Sequence, residues 1–510
     1  MLGNTSILSG YTEYSKGHID PWTAPPNPDI NHAEQGREWL RVASIMLATR
    51  MQRVFAACTT AAERQVIADA AHDYGIQAPK GCDLRGKMLR LCDDRWWRRQ
   101  LKKWWLRDRE HRAARAREVG ARTTAHYVAH DSANLIAAAD DAADRALKAR
   151  TLRHTQTGDE ISLFDVAQYA REGRIAELYT FAKGLADYAA ARRLTWCMTT
   201  LKLPGEYHPN PKFGRNSYNG ASFEQMHERL SNTWKLIRTQ AHNRGIKIMG
   251  LRVTEAHKDG CPHWHFMVYV DPAHRQDWEN LVCEYAPGQQ SDFSWAWTDA
   301  EAAARGKRVA GSASYLLKYI VKAVARETSE LQQFSNADEL AGHMAPRVVA
   351  KRRAHGWRAF QFFGIKSSMT SWRTMRAATT APATDIGRKL CAAAMAGRAG
   401  EWLELLNSEG APRFMPLREQ TDRIGRYGEA VERTEGAILV DTDGVVIEAF
   451  RRLRRFEITD DDQRQAADEA WRKTVFALIG NCARKSGTGP RVFDDEWDET
   501  ESFDSPDPPF

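Results

Sequence analysis

Apolar spacing along the chain changes character at a few definable points. From residue 33 to about 190, apolar positions recur at three- and four-residue intervals in Ala-, Arg-, Leu- and Glu-rich sequence, which predicts a helical region. The texture changes at Arg193. LTWCMTTLKLPG predicts a strand ended by Pro204-Gly205, SFEQMHERLSNTWKLIRTQAHNRG a helix stopping at Gly245, and IKIMGLRVTEAH a second strand. After the turn KDGCP comes HWHFMVYVD, in which Phe266, Val268 and Val270 alternate with Met267 and Tyr269. Two strands joined across Asp259-Gly260 predict a hairpin. Helices are expected around DAEAAARG and over GSASYLLKYIVKAVARE. Past about residue 377 the pattern predicts a helix over ATDIGRKLCAAAMAGRAGEWLELL, a hairpin over AILVDTDGVVIEAF and a helix over ITDDDQRQAADEAWRKTVFALIG.

Antiparallel strands interleaved with helices, without a βαβ repeat, predict an α+β fold: a central antiparallel sheet flanked by helices. The expected division is an extended Pro- and Asn-rich arm (1–32), a largely helical basic region (33–190) and a mixed domain bearing the candidate chemistry (191–376). A smaller mixed α/β region (377–490) and a disordered acidic tail (491–510) follow.

Charge narrows the partner. Lys plus Arg number 73 against 66 Asp plus Glu, a formal charge of +7, and the acidic tail conceals part of the excess carried by the body. A polyanion is the expected partner. The densest basic stretch, Asp93 to Arg117, places Trp97, Leu101, Trp104 and Trp105 on one helical stripe; the opposite basic face suits either solvent or a DNA backbone, and we assign DNA recognition to this region on charge alone. Eight cysteines without CxxC or paired spacing suggest reduced thiols in a cytoplasmic protein. With no basic, apolar leader and no window near the roughly 18 apolar residues of a membrane span, neither secretion nor membrane insertion is expected.

The chemistry concentrates in two short stretches. In GCPHWHF, alternation along a strand puts His263 and His265 on one face and Trp264 on the other, the arrangement of two imidazoles sharing a cation. A bare HxH is also met as ordinary packed histidines, but the hairpin brings Glu255 and His257, which share a face, within reach, and either can be the third ligand. Two imidazoles and a carboxylate with open positions suit Mg²⁺ or Mn²⁺ where a phosphate supplies oxygens, and Zn²⁺ otherwise. In YLLKYIVK, Tyr315, Lys318, Tyr319 and Lys322 share one helical face, opposite Leu316, Leu317, Ile320 and Val321. Adjacent ammonium groups and a cation would help a phenol attack a phosphodiester, giving a reversible phosphotyrosine ester. Two tyrosines one turn apart let one hold a strand end while the other cuts.

These residues together, EAHKDGCPHWH followed by YLLKYIVK, resemble the HUH endonucleases, and specifically the bacteriophage replication gene A protein (GPA) family of rolling-circle initiators. RWWRRQLKK near residue 95, HTQTGDEISLFDVAQ from His154, MTTLKLPGEYHP from Met198 and FQFFGIKSSMTSWRTMR from Phe360 resemble further blocks of that family, so the likeness runs from about Leu89 to Arg376. The resemblance implies an HUH catalytic fold over 191–376, a divalent metal on His263, His265 and, by position, Glu255, and Tyr315 and Tyr319 as alternating nucleophiles. It implies site-specific nicking of one origin strand, 5′ phosphotyrosine attachment, a free 3′ hydroxyl, later rejoining, a host helicase and polymerase as partners, and the cytoplasm of a bacterial host. Lys318 and Lys322 would contact DNA. Two departures stand out: TTLKLPGEYH where the family has a tighter Thr-x-Pro-Ser pattern, and WRTMR in place of an acidic ending.

Rival readings are a plasmid relaxase- or transposase-type nickase, a zinc hydrolase acting through bound water without a DNA adduct, and a non-catalytic origin-binding scaffold. The C-terminal FDSPDPPF resembles the acidic tip of single-stranded-DNA-binding proteins and is a candidate for recruiting a host replication protein.

Overall fold

The computed structural model describes residues 33–70, 82–296, 304, 312, 339–366, 369–378, 381–451 and 456–479. Helices α1 (Ala33–Ala57), α2 (Ala61–Ala70), α3 (Leu84–Leu91), α4 (Asp94–Arg115) and α5 (His130–Lys148) come first, as the periodicity predicts. Two short strands, β1 (Thr151–His154) and β2 (Glu160–Ser162), interrupt the expected helical region before α6 (Leu163–Ala191). Next come β3 (Thr195–Leu201), α7 (Phe223–Asn243), β4 (Ile248–Ala256), β5 (Pro262–Val270), α8 (Arg275–Tyr285) and β6 (Ser291–Trp295). Beyond residue 338 lie α9 (Glu339–His355), β7 (Phe360–Phe363), α10 (Met369–Arg376), α11 (Asp385–Met395) and α12 (Ala399–Asn407). The described chain closes with β8 (Arg413–Ile424), β9 (Ala430–Val440), β10 (Val446–Arg451), β11 (Phe456–Ile458) and α13 (Asp461–Ile479).

The described residues form two compact units, each drawing on separate stretches: one from those up to 105 with 421–431 and 461–479, the other from those within 106–420 and 432–460. In the first, α1 and α3 pack together and α1 packs on α13. The connection between β8 and β9 is clamped there by the fully buried Asp93 carboxylate, which accepts from the Arg426 guanidinium at 3.0 and 3.1 Å and from the Tyr427 hydroxyl at 2.8 Å. Trp97, Leu101 and Trp105 of the tryptophan stripe are buried as expected, but Trp104, at the stripe's edge, is 42% exposed, and Trp96 is buried edge-on against Trp97 instead.

The second unit is built on an antiparallel sheet of order β6-β3-β5-β4-β7. The expected hairpin is its centre: β4 and β5 pair from Ile248↔Val270 to Ala256↔Pro262, and β3 lies on the other side of β5. Flanked on both sides, β5 buries both faces. Trp264, Phe266, Val268 and Val270 pack with Phe223, Met226, Leu230, Trp234 and Ile237 of α7 and with α8. Met267 and Tyr269, with Met249, Leu251 and Val253 of β4, pack with α6, α10, α11 and α12. The fold is thus the expected α+β arrangement, with helices on both faces of an antiparallel sheet.

Local signals start and stop these helices. Ser222 caps α7 in a reciprocal box, its hydroxyl accepting from the Gln225 backbone N–H at 3.2 Å while the Gln225 side-chain Oε1 accepts from the Ser222 N–H at 2.8 Å. Gly245, at φ +70°, ends it. The single helix expected over 383–406 is two, α11 and α12, because Gly397 turns left-handed at φ +72°. The hairpin expected near 437–450 is present as β9 and β10, with β8 added to it. The N-terminal arm, the expected helices over DAEAAARG and GSASYLLKYIVKAVARE apart from Ala304 and Ser312, and the acidic tail lie outside the described residues.

Candidate metal centre

Register decides which side chains meet. Glu255 pairs directly with His263, and His265 lies between Val253 of β4 and Thr200 of β3. Opposed residues of an antiparallel pair project to the same face, so Glu255, His263, His265 and Thr200 stand together, continuing the row that contains Val253 and Met267. Nε2 of His263 is 3.0 Å from Nε2 of His265, and Oε2 of Glu255 is 3.7 Å from the first and 3.6 Å from the second. Among the described residues, this trio alone brings together His, Cys, Asp or Glu donors in a metal-binding cluster.

The spacing fits a small divalent cation. An ion about 2.1 Å from each donor sets neighbouring donors roughly 3.0 Å apart in octahedral and about 3.4 Å in tetrahedral geometry. The His263–His265 separation already matches the octahedral spacing, and the Glu255 carboxylate would have to close by about 0.6–0.7 Å, or about 0.2–0.3 Å for tetrahedral geometry. Burial, reinforced by the neighbouring His257 and His265, pushes the His263 imidazole well below its ordinary pKa, so it is held neutral, the form that donates a lone pair. His265 is oriented from behind: its Nδ1 is 3.0 Å from the Thr200 hydroxyl, leaving Nε2 toward the cluster.

Of the two candidates for third ligand, Glu255 lies in the cluster. His257 stacks behind His263 with ring centroids 4.1 Å apart, and its other side meets His208 at 4.9 Å. Burial and the charges around it lower His257 to about 4. His208 Nδ1 in turn hydrogen-bonds the buried Asp259 carboxylate at 2.9 Å.

The turn of the hairpin has its own foundation. Gly260 adopts φ +86°, and a Cβ there would come within 2.9 Å of the Lys351 ammonium. Lys351 and Glu110 are both 1% exposed and joined at 2.7 Å, with the ammonium over the Phe223 ring at 3.1 Å. Tyr127 abuts the same turn, its N–H donating to the Lys258 carbonyl at 2.8 Å from a left-handed φ of +67°, and burial together with the Glu255 charge raises its phenol. Asp259 was legible only as a turn residue, and Thr200, Tyr127, Lys351 and Glu110 carried no sequence signal, because each reaches the site through pairing or packing distant in sequence.

Tyr315, Lys318, Tyr319 and Lys322 lie outside the described residues. Ser312, three positions before Tyr315, is described: it is buried, with its hydroxyl 2.8 Å from that of Tyr269, whose side chain shares the sheet face of His263 and His265. The basic stretch of α4 is partly neutralised within itself, Arg98 pairing with Asp94 and Arg112 with Asp108, each at 2.9 Å.

Residues 41–327, more than half of the chain and including both the hairpin and YLLKYIVK, match the bacteriophage replication gene A protein (GPA) family. The chain belongs to that family. The replication gene A protein of Escherichia phage P2 is 27% identical over 373 residues, covering 68% of this chain and 48% of the relative. That of Escherichia phage 186 is 28% identical over 364 residues, covering 67% and 51%. A protein of Salmonella paratyphi A named probable replication endonuclease from prophage-like region is 27% identical over 227 residues, 41% of this chain and 27% of its own length. The chain therefore spans about half the length of the first two phage relatives. No solved structure matches it. The GPA match begins at residue 41, within α1 and ahead of the sequence-based start at Leu89, and ends at residue 327, short of the expected Arg376. No described helix is long and apolar enough to cross a membrane.

Proposed function

We propose that this GPA-family chain is a phage-type replication initiator, a site-specific single-strand DNA endonuclease and ligase of the HUH class. The observation that carries the proposal is the convergence of Glu255 Oε2, His263 Nε2 and His265 Nε2 on one face of the central sheet. Family membership and the names of the relatives, replication gene A protein and probable replication endonuclease, support it.

A divalent cation, Mg²⁺ or Mn²⁺, held by these three residues would polarise a non-bridging oxygen of the scissile phosphodiester. Tyr315 or Tyr319 attacks phosphorus as its phenolic proton leaves to water or a nearby base. A tyrosine–phosphorus bond forms as the bond to the 3′ oxygen breaks, and that oxygen takes up a proton as the free hydroxyl. The 5′ end remains as a phosphotyrosine ester, whose attack by a 3′ hydroxyl reseals the strand. Lys318 and Lys322 neutralise the phosphate, and the second tyrosine serves the second cut. The partners are the origin DNA, single-stranded at the nick, and a host helicase and polymerase in the bacterial cytoplasm. A host replication protein docks on the acidic Pro-Phe tail.

The test is a gel assay with Mg²⁺ or Mn²⁺ and single-stranded or supercoiled DNA spanning the encoding gene and its flanks. A detergent-resistant adduct is expected with wild type and absent from His263→Ala and from the Tyr315→Phe/Tyr319→Phe double variant. Cleavage without an adduct, persisting in the double variant, would instead make water the nucleophile and overturn the tyrosine route.

A further inference from the structure

The segment from His208 to Ala221, HPNPKFGRNSYNGA, leaves the sheet beside the histidine row and returns to the capping Ser222 of α7. It contains no acidic residue, whereas Lys212 and Arg215 lie within it. Phe213 at its tip is 76% exposed, the most exposed of the large hydrophobic residues described. Lys212 Nζ stands 4.9 Å from the Phe213 ring centroid, and Gly214 turns left-handed at φ +79° immediately after. The ring thus stands in solvent with a cation over it and Arg215 two residues on, an open aromatic face in basic surroundings.

The loop is built rather than slack. Asn210 Nδ2 donates to the carbonyls of Arg117 at 3.1 Å and Val119 at 3.3 Å. Asn216 donates to the Pro209 carbonyl at 2.7 Å and accepts from the Tyr218 N–H at 2.9 Å, while the Asn219 N–H donates to the Glu206 carbonyl at 2.8 Å. Between the loop and the end of α4 is an open polar cleft, lined by Arg115 and Arg117 on one side and by Asn216 and Asn219 on the other. Both arginines are exposed, and they line the cleft together with the Asn216 and Asn219 amides. The loop's root adjoins the metal centre through a short relay: His208 meets His257 at 4.9 Å, and His257 meets His263 at 4.1 Å.

A preorganised, acid-free loop combining an exposed ring with a cationic cleft has the chemistry of a single-strand platform: bases stack on the ring, phosphates sit by the cations, and duplex DNA offers no free base face. We propose that the His208–Ala221 loop, with Arg115 and Arg117, is a single-stranded DNA subsite in which Phe213 stacks on a base and the cations hold neighbouring phosphates. The inference rests on the reading of this chain as a DNA-processing protein, and names where the strand leading to the metal centre is gripped.

The test is fluorescence anisotropy of the full chain with a labelled mixed-sequence single strand and the matching duplex, in EDTA so that binding is read without the metal. Phe213→Ala should weaken single-strand binding about 5- to 100-fold, with Phe213→Trp restoring it and duplex binding unchanged. Arg115→Gln/Arg117→Gln should flatten the dependence of log affinity on log salt by about 0.7 for each phosphate that is no longer neutralised. Wild-type single-strand affinity in Phe213→Ala, or an equal loss on duplex, would overturn the subsite while leaving the proposed function standing. Failure of wild type to bind any single strand would overturn both.

Discussion

Glu255 stands directly opposite His263 across the β4–β5 ladder, Oε2 3.7 Å from Nε2. This pairing makes the site a property of strand register. Inserting one alanine between Lys258 and Asp259 would shift that pairing and, with a side-chain period of two, send one member of the pair to the other face. The variant should lose the proposed metal-dependent nicking, read in the nicking assay beside circular dichroism that follows overall helix content. Full activity would contradict the register argument.

Thr200 tests the support of His265. Its hydroxyl, 3.0 Å from Nδ1, fixes the ring, so Thr200→Val should weaken Mn²⁺ binding roughly 10- to 100-fold with little change in fold, and Thr200→Ser should recover most of it. Titration of the three proteins with Mn²⁺ checks this; equal affinities would remove Thr200 from the site.

The hairpin and its HxH pair were legible because strand alternation and the Asp-Gly turn are local: Glu255, His263 and His265 fall within eleven residues. Thr200 was illegible because nothing in its own stretch says that β3 lies beside β5. The same holds for the two-unit division, where Arg426 reaches Asp93 across 333 positions, and for Trp104, whose stripe position is helical but whose exposure is decided by what packs against the helix. The strands β1 and β2 were missed because each is only three or four residues long, too short for a periodic signal. YLLKYIVK, read from its spacing as a helical face with paired phenols and ammonium groups, lies outside the described residues.

The Lys351–Glu110 pair beneath Gly260 should be costly to break. Lys351→Met leaves a buried carboxylate and Glu110→Gln a buried ammonium, and each single change should destabilise the unit by about 3–5 kcal/mol, with the double change costing less than the two singles together. Urea unfolding reads the difference. Losses under about 1 kcal/mol would mean that the pair is not the turn's foundation.

Acid should loosen this same unit. His227 stacks on Trp357 at 5.6 Å and meets Trp264, the residue between the two site histidines, at 5.3 Å, with Nε2 buried and unpartnered. Burial, with the Arg252 and His355 charges, lowers it to about 3. Because the folded pKa lies below the unfolded value near 6.5, the unfolded chain binds the extra proton. Stability is therefore full above pH 6.5 and falls, on the order of 1.4 kcal/mol per pH unit for this residue, as pH drops from 6.5 toward 3. His227→Phe should shallow that decline in urea midpoints between pH 7.5 and 5. An unchanged slope would assign the acid sensitivity elsewhere.

Calorimetric titration of the full chain with Mn²⁺ tests the central claim most directly, comparing wild type with Glu255→Ala, His263→Ala, His265→Ala and His257→Ala. One ion per chain should bind to wild type and to His257→Ala, and binding should be lost, or weakened at least 100-fold, in the other three. Wild-type binding in Glu255→Ala or in either His263→Ala or His265→Ala would contradict the metal centre as drawn.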